Sequence, residues 1–199
     1  MNILLILLIL IIILISINRK RKKINPGEKE VKDILSRIKG YKLLNDIMIK
    51  SNNGTSQIDH ILIGKKGIFV IETKDYSGMI YGDEYSREWT QVINSKKNKF
   101  YNPIRQNYGH IKTLEKHIDR KNIFISIIVF TNKSTLKKIE TDTPVIQVKK
   151  LKRFIRKYKS NNMLTKEEID NMYNLIKKNN INSNRERKKH VKRISRIIS

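Results

Sequence analysis

Met1 to Ile17 are almost wholly isoleucine and leucine, broken only by Asn2 and Ser16. As a helix this run is about 25 Å long, near the lower limit for crossing a bilayer. A helix that is apolar on every side has no water-facing stripe, so the pattern predicts a transmembrane anchor rather than a core helix. Nothing basic precedes the run, and Arg19-Lys20-Arg21-Lys22-Lys23 follows it. That order is the reverse of a signal peptide. The positive-inside rule then predicts a single-pass protein of the cell membrane, with its N-terminus outside and everything after Asn18 cytoplasmic.

Beyond Asn25-Pro26-Gly27 the periodicities change. Val31, Ile34, Leu35 and Ile38 recur at helical spacing, predicting a helix over about 28–38 that Gly40 stops. Strands are predicted over 42–50, 56–63 and 68–74, with Ser51-Asn52-Asn53-Gly54 and Gly64-Lys65-Lys66-Gly67 as turns. Shorter strands follow near Met79–Tyr81 and Trp89–Ile93. Pro103 suits the first turn of a helix over 103–118. The continuous apolar run Ile123–Phe130 reads as a fully buried strand, and Val145–Val148 as a weaker one. Helices are predicted over 149–158 and 166–177, and the polar tail from Asn179 carries a basic helix over 185–196. This order predicts an α/β sandwich, a mixed sheet flanked by helices. The expected layout is an anchor over 1–18, a basic linker over 19–25, one core domain over 26–148 and a basic helical extension over 149–199.

Charge adds a candidate partner. The net charge is +25, from 43 Lys+Arg against 18 Asp+Glu, and such a surface attracts nucleic acid or anionic lipid. The chain also has no alanine and is crowded with Ile, Lys and Asn, which fits the codon usage of an AT-rich bacterial genome. Charge alone is therefore weak support for nucleic acid. The absence of cysteine excludes a disulfide scaffold and a thiolate metal site.

Candidate chemistry lies in the hairpin Gln57–Ile63 and Ile68–Lys74. Strand side chains alternate faces, so Asp59, Ile61 and Ile63 share a face with Ile68, Val70, Glu72 and Lys74. With Gly64 paired to Gly67, partner numbers sum to 131, which sets Asp59 opposite Glu72 and Gln57 opposite Lys74. Like charges directly opposed destabilise a sheet. A hard divalent cation, Mg²⁺ or Mn²⁺, is the best reason for such a pair. Lys74 on the same face is placed to act on a metal-bound water or on a phosphate.

Gly27-Glu28, Gln57-Ile-Asp-His60, Gly67-Ile-Phe-Val-Ile-Glu-Thr-Lys74, Tyr76-Ser-Gly78, Trp89 with Gln91, and Asn102-Pro-Ile-Arg-Gln-Asn107 together resemble the nuclease-related (NERD) domain. The resemblance spans Pro26 to Phe130. It implies a restriction-endonuclease-like fold of the PD-(D/E)xK superfamily and hydrolysis of phosphodiester bonds in nucleic acid, DNA first. It also implies catalytic roles for Asp59, Glu72 and Lys74, a metal site of Asp59 and Glu72 completed by Glu28, and Gln106 near the phosphate. Ile58 stands where the superfamily motif has proline.

Gln57, Arg105, Gln106, Lys96, Lys97 and Lys99 are further candidates for nucleic-acid contact. Trp89, Tyr101 and Tyr108 have two readings, a base-stacking surface or aromatics seated in a core edge. His60, on the face opposite Asp59, is expected to be packed. His110 and His117 could share a helix face but are read as structural or exposed, since no carboxylate or cysteine completes a zinc site with them. Two alternatives to an enzyme are a nucleic-acid-binding module without useful catalysis and a basic adaptor on anionic lipid. Neither requires the Asp, Glu and Lys trio.

Overall fold

The computed structural model of the chain describes residues 25–198, with side chains to residue 193. The expected anchor lies outside the described residues. No helix among the described residues is long and apolar enough to cross a membrane.

The first helix, α1 (Pro26–Leu35), is capped by Asn25, whose side chain accepts from the Gly27 N–H. Strands β1 (Tyr41–Ser51), β2 (Gly54–Gly64) and β3 (Gly67–Lys74) follow as an antiparallel meander. After β4 (Gly78–Asp83), β5 (Glu88–Ile93) and β6 (Lys96–Tyr101) comes α2 (Pro103–Ile118), and then β7 (Phe124–Phe130) pairs parallel to β3. The chain ends with β8 (Ser134–Glu140), β9 (Val145–Gln147), α3 (Val148–Lys157), α4 (Lys166–Lys178) and α5 (Asn184–Ile198).

The molecule is a mixed α/β protein with two mixed sheets. The main sheet runs β1-β2-β3-β7-β9, and a second runs β6-β5-β4-β8. Alternation along β2 and β3 sorts their side chains between two cores. Leu62, Phe69 and Ile71 pack under α1 and α3, against Val31, Leu35, Leu151 and Ile155. Ile61, Ile63, Ile68 and Val70 pack under α2 and α4, against Leu114, Ile118, Met172 and Ile176. The helices of residues 149–178 thus complete both cores. Asn107 of α2, fully buried, donates to Val70 O (2.9 Å) and Ser126 Oγ (2.8 Å), which latches α2 across β3 and β7.

The second sheet corrects the expectation of a single one. The sequence pattern gives no sign of β6 or β8, because neither alternates. In β6, Lys96, Lys97, Asn98 and Lys99 are all exposed. Pairing with β5 makes β6 a strand, through a two-residue turn in which Asn94 and Ser95 both have positive φ, the geometry that suits a hairpin's twist. Trp89 of β5 is fully buried and stacks on Phe130 at 6.1 Å, joining the second sheet to the end of β7. Of the two readings of this indole, the core seat is the one found. Tyr101 and Tyr108 are exposed.

Candidate active site

The β2–β3 hairpin has the expected register from Gly64↔Gly67 to His60↔Ile71, and there the ladder stops. Beyond it β3 continues along β7, with Glu72↔Ile128 and Lys74↔Phe130, while β2 stays with β1. The strands part, and Asp59 turns its carboxylate into the gap, where Oδ2 accepts from Thr73 N–H at 2.8 Å. The expected oppositions of Asp59 with Glu72 and of Gln57 with Lys74 therefore do not form as strand pairs. Gln57 pairs with Met48 of β1, and its amide donates to Asp46 Oδ1 at 2.7 Å.

By parity Asp59 and Glu72 both emerge on the α2 side of the sheet. Glu72 is buried, 3% exposed, and its Oε1 accepts from Lys74 Nζ at 2.7 Å. The same ammonium donates to Gln106 Oε1 at 2.9 Å. Glu72 Oε2 makes no geometric hydrogen bond and faces His110 Nε2 at 3.4 Å, an ion pair when the imidazole is protonated. His110 Nδ1 lies 2.7 Å from Ser56 Oγ, which fixes the ring. Gln106 and His110 reach the site together because residues four apart on a helix share a face.

The electrostatics of the two carboxylates diverge. Burial pushes the Glu72 carboxyl up, but Lys74 and His110 outweigh it and hold it at about 2. Burial and the charge of Glu72 push Asp59 well above the usual carboxylate range; Glu28 adds to this, against the Thr73 N–H and Lys74. Burial alone would lower Lys74, but Glu72 more than offsets it and raises it above the ordinary lysine value. The group is thus a firm ammonium that donates hydrogen bonds.

Glu28 comes into range of Asp59 through Gly27. A Cβ at Gly27 would stand 2.8 Å from Asp75 Cβ and Thr131 Cγ2, so only glycine lets α1 start this close to the ends of β3 and β7. Among the described residues, no three histidine, cysteine or carboxylate groups meet closely enough to form a metal cluster by themselves.

A cleft of about 860 Å³ opens over this corner, lined among others by Gln57, Asp59, Lys99, Gln106, His110 and His190. Lys99 also donates to Thr90 Oγ1 at 2.9 Å. Arg105 is exposed on α2 and reaches Tyr85 O at 3.2 Å. Lys96 and Lys97 are exposed on β6 and do not line the cleft. His60 is packed as expected, bonded to Asn45 Oδ1 at 2.8 Å and lowered to about 4 chiefly by burial.

Of its two readings His110 takes the structural one, buried and held by Ser56, and Glu72 comes to it from another element. The signal was its i+4 spacing from Gln106. Ser56 and His190 had no signal of their own, because they reach the cleft only through tertiary packing.

Fold and site together define an α/β protein with paired carboxylates and a lysine where a central hairpin splits. A family model described as the nuclease-related domain matches residues 23–131. Over 172 residues the chain is 40% identical to a Bacillus anthracis protein described as uncharacterized, a match covering 83% of this chain and 81% of that one. The chain belongs to the nuclease-related (NERD) domain family.

Proposed function

We propose that this protein is a membrane-anchored, divalent-metal-dependent nuclease that hydrolyses phosphodiester bonds, with DNA as its first substrate class. Glu72 carries the reading. One of its oxygens is neutralised by Lys74, and the other is buried, outside hydrogen-bond geometry and met by His110 Nε2 at 3.4 Å, while the charge of Glu72 crowds Asp59. A buried carboxylate oxygen without a hydrogen bond is costly. A hard cation would supply what the pair lacks, and Mg²⁺ needs only one or two carboxylates beside its waters and a substrate phosphate. Asp59 and Glu72 would hold it, with Glu28 from α1. When bound, the cation supplies Lewis acidity and a water of lowered pKa.

The chain's own groups do the rest. Gln106 and Glu72 hold the Lys74 ammonium in place, where it donates to a phosphate oxygen and stabilises the charge that develops there. Asp59, tied to the Thr73 N–H, is fixed at the cleft surface. Gln57 and Lys99 line the cleft, and Arg105, Lys96 and Lys97 extend the basic surface around it for the polyanion. We read the main sheet with its flanking helices as a restriction-endonuclease-like core, with residues 26–148 as the catalytic unit and 149–199 as the basic extension. The test is cleavage of single-stranded, duplex and branched DNA and of RNA by the full chain, in Mg²⁺, in Mn²⁺ and in EDTA. Cleavage that EDTA abolishes supports the enzyme. Binding without cleavage in all conditions leaves a binding module.

The apolar run and the basic collar after it support a reading in which the domain is cytoplasmic. Protease added to intact cells should therefore leave it whole. Digestion without lysis would reverse the orientation, and release by a salt wash would remove the spanning helix.

A further inference from the structure

The C-terminal helix lies outside the residues that match the family, yet it is fastened beside the cleft. The fastening begins at the outer edge of the main sheet, where among the described residues no strand flanks β1 on the side away from β2. Ile181 N–H donates to Met48 O at 2.7 Å, and Met48 N–H donates to Asn180 Oδ1 at 2.9 Å, so residues 180–181 cover that edge. From this seat α5 runs along the β1–β2 hairpin.

One face of α5 is spent on docking. Arg187 grips Asp46 twice, Nη1 to Oδ1 at 2.8 Å and Nη2 to the carbonyl at 2.9 Å. Asp46 sits at φ 53°, between the pairs Asn45↔His60 and Ile47↔Ile58, which places it across the strand from Asp59. His190 Nδ1 lies 2.9 Å from Thr55 Oγ1, and Arg193 bonds the carbonyls of Asn53 and Thr55. His190 is thereby set in the wall of the cleft that holds Asp59.

The opposite face is a basic stripe. Arg185, Lys188, Lys189 and Lys192, at helical spacing, are all exposed. Lys189 also pairs with Glu186 at 2.8 Å.

We infer that α5 is a nucleic-acid clamp, whose stripe of Arg185, Lys188, Lys189 and Lys192, outside the cleft, binds backbone phosphates of a nucleic acid that continues past the His190 wall. This rests on the proposed function in taking nucleic acid as the substrate. The stripe has phosphate-binding chemistry, four cations along one side of a rigid helix. Its position is fixed to the cleft by His190 and Arg187 rather than by a tether. An interfacial membrane helix needs an apolar face opposite its charges. Here Arg187, His190 and Arg193, opposite the stripe, are bonded to the β1–β2 hairpin, and beside them Val191 is exposed, a single apolar side chain rather than a face.

The variant Arg185→Ser, Lys188→Ser, Lys189→Ser, Lys192→Ser keeps the docking residues Arg187, His190 and Arg193 of α5. It is compared with the wild-type full chain in nanodiscs of phosphatidylcholine, with and without phosphatidylglycerol. Binding of fluorescent oligonucleotides is followed in EDTA across a salt series, so that no cleavage enters. The expected result is a fall in affinity on the order of tenfold or more at low salt. The salt slope should also fall by about 2 to 4, near 0.9 for each phosphate that is no longer neutralised. Unchanged affinity and slope, with wild type binding normally, would overturn the clamp and leave the proposed function standing. A wild type that binds no polynucleotide defeats that function and the clamp with it. A variant changed only where phosphatidylglycerol is present assigns the stripe to the membrane and also overturns the clamp.

Discussion

Lys74→Ala should cut metal-dependent cleavage by roughly 10²-fold or more, the size of effect seen when a positioned charge-stabilising group is removed. The geometry supports a large effect, because Lys74 Nζ is held from two sides, by Glu72 at 2.7 Å and Gln106 at 2.9 Å. Nucleic-acid affinity should change little, since one phosphate contact among many is a small share of the electrostatic attraction. The sequence places Lys74 at a polar strand end, where its removal looks free of structural cost. The structure changes that expectation. Lys74 is only 13% exposed and neutralises Glu72, 3% exposed, and stripping the partner from a buried charge is destabilising. The variant should therefore melt earlier without metal and recover part of the difference in Mg²⁺. Rates are to be compared well below both melting temperatures, with anisotropy reporting binding. Equal rates for the two proteins would remove Lys74 from the chemistry, and wild-type cleavage indifferent to EDTA would remove the metal.

The hairpin was legible because its two halves are symmetric about Lys65-Lys66, and a period of two leaves one register that buries both faces. That register put Asp59 and Glu72 on a common face. It did not foretell where the strands part, because the divergence depends on β7, more than fifty residues later, drawing β3 away from β2. The helix over 103–118 was legible from Pro103. Asn102 caps it, accepting from Ile104 N–H at 2.9 Å. The other work of Asn102, donating to the carbonyls of Asp83, Glu84 and Ser86, ties α2 to the second sheet and leaves no trace in local sequence. Strands β6 and β8 were illegible for a related reason. A strand half-exposed among lysines lacks alternation, and its partners decide its state. The docking of Arg187 on Asp46, 141 residues apart, is likewise a product of packing alone.

Asp59→Asn should stabilise the metal-free protein at neutral pH and abolish its stabilisation by metal. Burial and the neighbouring Glu72 raise the Asp59 carboxyl well above 3.8. A carboxyl raised on folding binds its proton more tightly in the native state. Stability therefore falls as pH climbs from the ordinary aspartate value through the raised one, and the full penalty stands above it. Removing the charge should therefore raise the metal-free melting temperature at neutral pH. Asparagine keeps an oxygen to accept from Thr73 N–H, so the backbone contact need not break. Below the ordinary aspartate value both proteins are neutral at position 59 and the difference should vanish. Glu72 runs in the opposite sense, its contribution present above the ordinary glutamate value and lost as pH falls towards about 2. Its contacts with Lys74 and His110 are present in both proteins, so the difference between them reports the Asp59 charge together with its repulsion of Glu72. With Mg²⁺ the order should invert. A ligand at a hundred times its Kd stabilises the native state by about 2.7 kcal/mol, and only the wild type keeps both carboxylates to collect it. Thermal melts of the two full chains, with EDTA and with Mg²⁺ at several pH values, decide the matter. A wild type more stable than Asp59→Asn in EDTA at neutral pH would show that the Asp59–Glu72 pair is not strained. A melt unmoved by Mg²⁺ would separate that pair from any metal.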